Sequence, residues 1–231
     1  MTLLDHLLAL IILAVHPIAG YVTFQHILRR IAAGEQLAAT LIYRRTLIGH
    51  WTLFAITIAI WFGLGRPAST LGFGLDLDAW FLVAALFTVV AVVVMALQLR
   101  RLGAASPLQL QAIRYRLFNI EVILPKSAAD LRQFYAVAVT AGIVEETLWR
   151  GFLFWYLGQF LPLWAVAVIS VIGFCLAHAY QGIGNLAKVT LVGASFAALF
   201  VVSGSLWLPM LLHALIDALQ GRAVYGVLQR T

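Results

Sequence analysis

The sequence predicts an all-α protein, a polytopic transmembrane helical bundle of about seven to eight spans, and three observations carry that expectation. Of its 231 residues, 63% are hydrophobic and 10% charged, against about 45–50% apolar and about 25% charged in soluble domains. The mean hydropathy is +0.99. Apolar runs near the roughly 20 residues that a helix needs to cross a bilayer recur along the whole chain. Hydrocarbon leaves backbone groups no water to bond, so such runs fold as helices whose bonds are internal.

Taken in order, the expected spans are Leu3 to Phe24, Leu47 to Leu64, Ala79 to Leu99, Phe134 to Leu157, Leu163 to Ala179, Val189 to Val202 and Leu206 to Gln220. The first has no basic leader and no obvious small-residue cleavage site, so a retained span is expected there, not a signal peptide. The loops between them sort by charge. Arg29, Arg30, Arg44 and Arg45 follow the first span; Arg100, Arg101, Arg114, Arg116, Lys126 and Arg132 follow the third; Lys188 follows the fifth; Arg222 and Arg230 follow the seventh. The intervening loops carry Arg66 with Asp76 and Asp78, or no charge at all. Positive charge accumulates on the cytoplasmic side of membrane proteins, so the N-terminus is expected outside and the C-terminus in the cytoplasm of a multi-pass cell-membrane protein. The net charge of +6 then reports orientation, and the expected partner is the lipid bilayer, with no nucleic acid.

Leu108 to Ile123 mixes Leu, Ile and Phe with Arg and Gln, as a helix lying among headgroups does. The single cysteine, Cys175, excludes an intrachain disulfide and any Cys-rich metal motif; beside His178 it reads as packing rather than a nucleophile. With no repeat or linker, the chain reads as one helical body in three stretches. Residues 1–133 hold the first spans and the basic loop, 134–221 hold most of the unusual polarity, and 222–231 form a tail.

That polarity begins in VEETLWRG, Val144 to Gly151. A charged side chain at mid-bilayer costs about 2.5–3.5 kcal/mol on insertion scales, so such groups face a bundle interior or a wet cavity. Glu146 and Arg150 stand four apart and can pair, and Arg150 is near enough to a span end to snorkel. Glu145 points about 100° away from Glu146 and is expected to lack a local partner. Phe174 and His178 share a face of the fifth span, and His213 and Asp217 stand one turn apart on the seventh. A glutamate, two histidines and a further acid are an inventory for activating water: the carboxylate takes a proton while imidazoles position water, stabilise an oxyanion or bind metal.

EETLWR, FCLAH and HALID match, in order, the EExxxR, FxxxH and HxxxN/D motifs of the CPBP intramembrane protease family, which the chain resembles over roughly Phe134 to Gly221. That family includes the type II CAAX prenyl proteases and the bacterial Abi proteins. The resemblance implies a membrane endopeptidase in which Glu145 is the catalytic carboxylate, His178 helps it activate water, and His213 with Asp217 stabilises the oxyanion. Glu146, Arg150 and Phe174 would be the supporting members, and the substrate a membrane peptide or a prenylated CAAX-type protein. Prenyl protease members commonly have Asn where this chain has Asp217. An amide can donate to an oxyanion and a carboxylate only accepts, so Asp217 would have to be protonated, orient His213 or bind a cation. Glu145, His178, His213 and Asp217 could together ligate a divalent metal such as zinc, although the HExxH helix of familiar zinc proteases is absent.

Counting about 1.5 Å per residue, Glu145 lies some 17 Å from the inner end of its span, while His178 is within a turn or two of its own. Convergence therefore needs tilted, staggered or broken helices. YQGIGN, Tyr180 to Asn185, reads as a sharp turn at the rim. His6, His16, His26 and His50 have no acid at helical spacing and are expected in interfacial or core roles. Trp51, Trp61, Trp80, Trp155, Trp164 and Trp207 are expected as interface anchors. Two other classes use the same inventory: a proton- or ion-coupled transporter, and a catalytically silent scaffold or immunity protein. No inverted repeat supports the first.

Overall fold

The computed structural model describes residues 1–230, the side chain of Asn119 excepted, and regular structure among them is helical throughout. Helices α1 (Leu3–Leu10) and α2 (His16–Ala32) form one rod joined by a π-helical turn, Ile11–Val15. Pro17 has no N–H to offer the Leu13 carbonyl, and a widened turn accommodates the missing bond. Next come α3 (Ala39–Gly63) and α4 (Ala79–Leu102), the latter capped by Asp78, whose side chain accepts from the Phe81 N–H at 2.7 Å. The short helix α5 (Pro107–Leu117) opens with a capping box of Ser106 and Gln109. It leaves Leu108 and Tyr115 76% and 85% exposed.

A second interrupted rod follows: α6 (Ala128–Glu146), a π-helical turn at Thr147–Phe152, and α7 (Leu153–Leu157). The chain ends with α8 (Leu163–Ala177), α9 (Ile183–Ser203) and α10 (Trp207–Leu228). Every expected span is thus helical. Four helical stretches, Leu3–Ala32, Ala39–Gly63, Ala79–Leu102 and Ile183–Ser203, are long and apolar enough to cross a membrane. The other three carry the charges of α6 and α10 or, in α8, only 15 residues. The sixth span is longer than expected, because Gly182, at φ +89°, turns the chain straight into α9.

Helix α6 packs along α10 more extensively than any other pair. Gly142 makes this possible, since a Cβ there would stand 2.6 Å from the Met210 carbonyl oxygen and 3.0 Å from Ala214 Cβ. Small residues at such crossings let two backbones approach, and packing then holds helices together where lipid supplies no hydrophobic drive. The core gathers Leu8, Ile12, Trp61, Val144, Trp149, Phe174 and Leu212. Trp61 is a correction to the expected interface belt: it is 1% exposed and donates to the Pro67 carbonyl at 3.0 Å. Trp80, Trp164 and Trp207 remain exposed. Buried Asp5 receives both arms of the Arg66 guanidinium at 2.7 Å, and Arg66 lies 4.2 Å above the Trp155 ring, tying α1 and α7 to the loop after α3.

Candidate functional site

Glu145 and Glu146 are the last two residues of α6, and the helical twist sends them to different neighbours. Glu146 is fully buried; its Oε1 accepts from Arg150 Nη1 at 3.1 Å and from His213 Nδ1 at 2.8 Å. Arg150 is also fully buried, donating through Nη2 to the Gly193 carbonyl at 2.8 Å, with its guanidinium 4.5 Å above the Phe174 ring. The expected snorkelling of Arg150 does not occur. Both terminal nitrogens are bonded inside the bundle, while the buried Nε has no hydrogen-bond partner, so the guanidinium is held by its Nη atoms and by the ion pair with Glu146. Further hydrogen bonds help to retain a buried ion pair; His213 supplies one to Glu146 Oε1 and the Gly193 carbonyl accepts one from Arg150 Nη2, leaving Glu146 Oε2 and Arg150 Nε without partners. The π turn that starts at Thr147 is stitched by Thr147 Oγ1 to the Ile143 carbonyl and by Ser170 Oγ to the Trp149 carbonyl.

Glu145 faces the other way; it has no hydrogen-bond partner within its own helix, and the groups it meets come from α3 and the end of α8. Its Oε1 lies 3.1 Å from His50 Nε2, and its Oε2 lies 3.8 Å from His178 Nε2 with no hydrogen-bond partner of its own. His178 is the residue that ends α8. A helix of 15 residues is about 22 Å long, shorter than the roughly 30 Å hydrocarbon core, and it stops where His178 meets Glu145 at the end of α6, so the convergence uses the broken helices that counting residues called for. His178 Nδ1 donates to the Phe174 carbonyl at 2.8 Å. In neutral imidazole this leaves Nε2, the atom nearest Glu145, as the acceptor.

His50 is the residue that sequence reasoning missed. It stands 95 residues from Glu145, on α3, with no acid at helical spacing, and only tertiary packing brings the two together. The one available signal was a pair of unmatched polar groups in separate spans, each needing a partner. His16, at the start of α2, packs edge-on against His50 with ring centroids 5.8 Å apart. His6 instead meets the Tyr156 hydroxyl at 2.8 Å.

His213 and Asp217 share one face of α10, with Nε2 to Oδ2 at 3.6 Å, too long for a hydrogen bond. The stronger bond of His213 is to Glu146, so it links the two carboxylates' surroundings. The four residues that could have held a divalent metal do not form a ligand set. Among the described residues no three His, Cys, Asp or Glu side chains are arranged to hold a metal ion. The nitrogen of His213 nearest a glutamate is committed to Glu146, not Glu145. Cys175 is occupied by Thr190 Oγ1 at 3.2 Å and the Leu186 carbonyl at 3.8 Å, which agrees with a packing role.

Searches of curated proteins and of solved structures found no match. Residues 127–219, running from the cap of α6 into α10 and holding Glu145, Glu146, Arg150, His178, His213 and Asp217, match the Rce1-like family, described as type II CAAX prenyl endopeptidase Rce1-like, in agreement with the resemblance of the three motifs to CPBP intramembrane proteases.

Proposed function

We propose that the protein is an intramembrane endopeptidase in which Glu145 activates the attacking water and which cuts prenylated CAAX-type substrates. The observation that carries the reading is the division of the Glu145 carboxylate: Oε1 is engaged by His50, while Oε2 has no hydrogen-bond partner and faces His178 Nε2. A general base must have a lone pair directed at the proton it removes. Water held between Oε2 and His178 Nε2 attacks the scissile carbonyl carbon and gives its proton to Oε2. The C–O bond forms as the carbonyl π pair moves to oxygen. His213, oriented through Nδ1 by Glu146 and carrying a hydrogen on Nε2, donates to that oxyanion, with the Asp217 carboxyl 3.6 Å from Nε2. Collapse breaks the C–N bond, and the proton on Glu145 passes to the leaving amine, restoring the carboxylate.

Glu146 and Arg150 are structural in this scheme. They hold His213 through Nδ1; Glu146 Oε2 also has no hydrogen-bond partner, but its carboxylate is fully buried and paired with Arg150, whereas Glu145 Oε2 faces His178. The scheme routes no step through a metal. Support for the substrate class comes from the family match, and a membrane-borne prenyl group would bring the peptide to a site inside the bundle. The basic loops favour a cytoplasmic C-terminus; reporter fusions at both termini check this, and a cytoplasmic N-terminal signal overturns it.

The test is turnover of a fluorogenic farnesylated CAAX peptide by the purified protein in lipid nanodiscs. Glu145→Gln preserves shape and removes the proton-accepting oxygen, so kcat should fall about 10²–10⁴-fold with thermal stability near that of the parent. Near-full turnover by a stable Glu145→Gln protein would sink the mechanism. Absence of cleavage by the parent, with proton-coupled uptake in its place, would favour the transporter reading.

A further inference from the structure

We infer that His50 is a positioning residue for Glu145, so that the site depends on a histidine from outside the family-matched segment. The inference rests on the reading of Glu145 as the base and adds a residue that none of the three motifs contains. Both ring nitrogens of His50 face acceptors. Nδ1 is 3.0 Å from the Thr46 carbonyl, one turn back on the same helix, and Nε2 is 3.1 Å from Glu145 Oε1. A carbonyl oxygen can only accept, so Nδ1 carries a hydrogen and the ring plane is fixed by its own helix. One further hydrogen then lies between Nε2 and Oε1, and whichever atom holds it, Oε1 is spoken for.

The consequence falls on the other oxygen. A carboxylate whose two oxygens are equivalent can rotate and offer either; one pinned through Oε1 always offers Oε2 toward His178. The ring is itself well held, with its side chain 14% exposed and His16 packed edge-on at an interplanar angle of 80°. His16 follows immediately on the π turn Ile11–Val15, so the irregular turn in the first rod sets the ring that braces His50. Such turns recur at functional sites in helical proteins, and the second one in this molecule begins directly after Glu146.

Outer partners of this kind typically contribute about 10–100-fold to activity at metal sites, and a carboxylate base should depend on its orienting bond to a similar degree. In nanodiscs with the farnesylated peptide, His50→Ala should lower kcat about 10–100-fold while KM changes less than about threefold, because the bound substrate does not touch His50. His50→Gln places an amide N–H near the former Nε2 and should restore kcat to within about tenfold of the parent. Thermal stability of each variant separates misfolding from loss of alignment. Full kcat in a stable His50→Ala protein overturns the inference, as does a His50→Gln protein no better than His50→Ala. If Glu145→Gln is inactive while both His50 variants are normal, only this inference fails; if Glu145→Gln is active, the base assignment fails with it. A readout independent of turnover is 15N NMR of histidine-labelled protein. The His50 signals should show both nitrogens in hydrogen bonds and vanish in His50→Gln, and a pyridine-like, unbonded Nε2 also overturns the inference.

Discussion

Helix α4 and the rod from Thr140 to Leu157 reverse the relation between hydropathy and burial found in soluble proteins. In α4, a mean hydropathy of 2.8 accompanies a window only 17% buried. Leu82, Leu86, Val89 and Val93 are exposed, and the buried positions are Phe81, Ala84 and Thr88. In the second rod Thr140, Glu145, Glu146, Thr147 and Arg150 are all buried, together with the Trp149 and Phe152 rings. Lipid is the good solvent for leucine and valine, so the most apolar of the four membrane-length helices keeps most of its surface on the outside. Ionisable groups have nowhere to go except inward, toward one another. Hydropathy in this chain therefore reports lipid contact, and interruptions of hydropathy mark the interior.

The sharpest way to break that contrast is to remove a charge from the inner rod. Arg150→Ala leaves Glu146 with His213 alone in a fully buried setting, and breaking such a pair should cost about 3–5 kcal/mol. We expect folded yield and unfolding midpoint in nanodiscs to collapse before any rate can be assigned. A normally stable but inactive Arg150→Ala protein would give Arg150 a direct catalytic role instead.

A smaller effect should come from the backbone contact that aligns the two polar helices. Gly142→Ala puts a methyl group 2.6 Å from the Met210 carbonyl oxygen, an overlap that neither backbone can relieve without sliding. Overpacking of this kind costs about 1–3 kcal/mol. Because α10 carries His213, the shift should also lower kcat per folded molecule. Unchanged unfolding together with unchanged kcat would show that the helices part without consequence. The smallest effect is expected on the outer helix. Val89→Ala trades one lipid-facing side chain for another and should change stability by less than about 0.5 kcal/mol; a loss above 1.5 kcal/mol would reveal that α4 has a protein partner on that face.

Much of this was legible in the residues. Every one of the seven runs is a helix, because twenty apolar residues in hydrocarbon have no other way to satisfy their backbone. The pairing of Glu146 with Arg150 follows from four-residue spacing, and the separation of Glu145 from Glu146 follows from the helical twist. What misled was assigning partners by sequence distance. Arg150 near a span end read as a group able to snorkel, Trp61 as an anchor, and His50 as an interfacial or core histidine.

The sequence by itself determined the helical class, where the apolar runs lie and which of them carry charge, since each depends on short-range periodicity and on the cost of polar groups in lipid. Only the tertiary structure decided that Glu145 meets His50 and His178, and that His213 is bonded to Glu146 and not to Asp217. Those contacts depend on where α8 stops, how closely Gly142 lets α10 approach α6, and how α3 is rotated about its axis. Each is set by packing among several helices at once, and no local pattern along the chain encodes it.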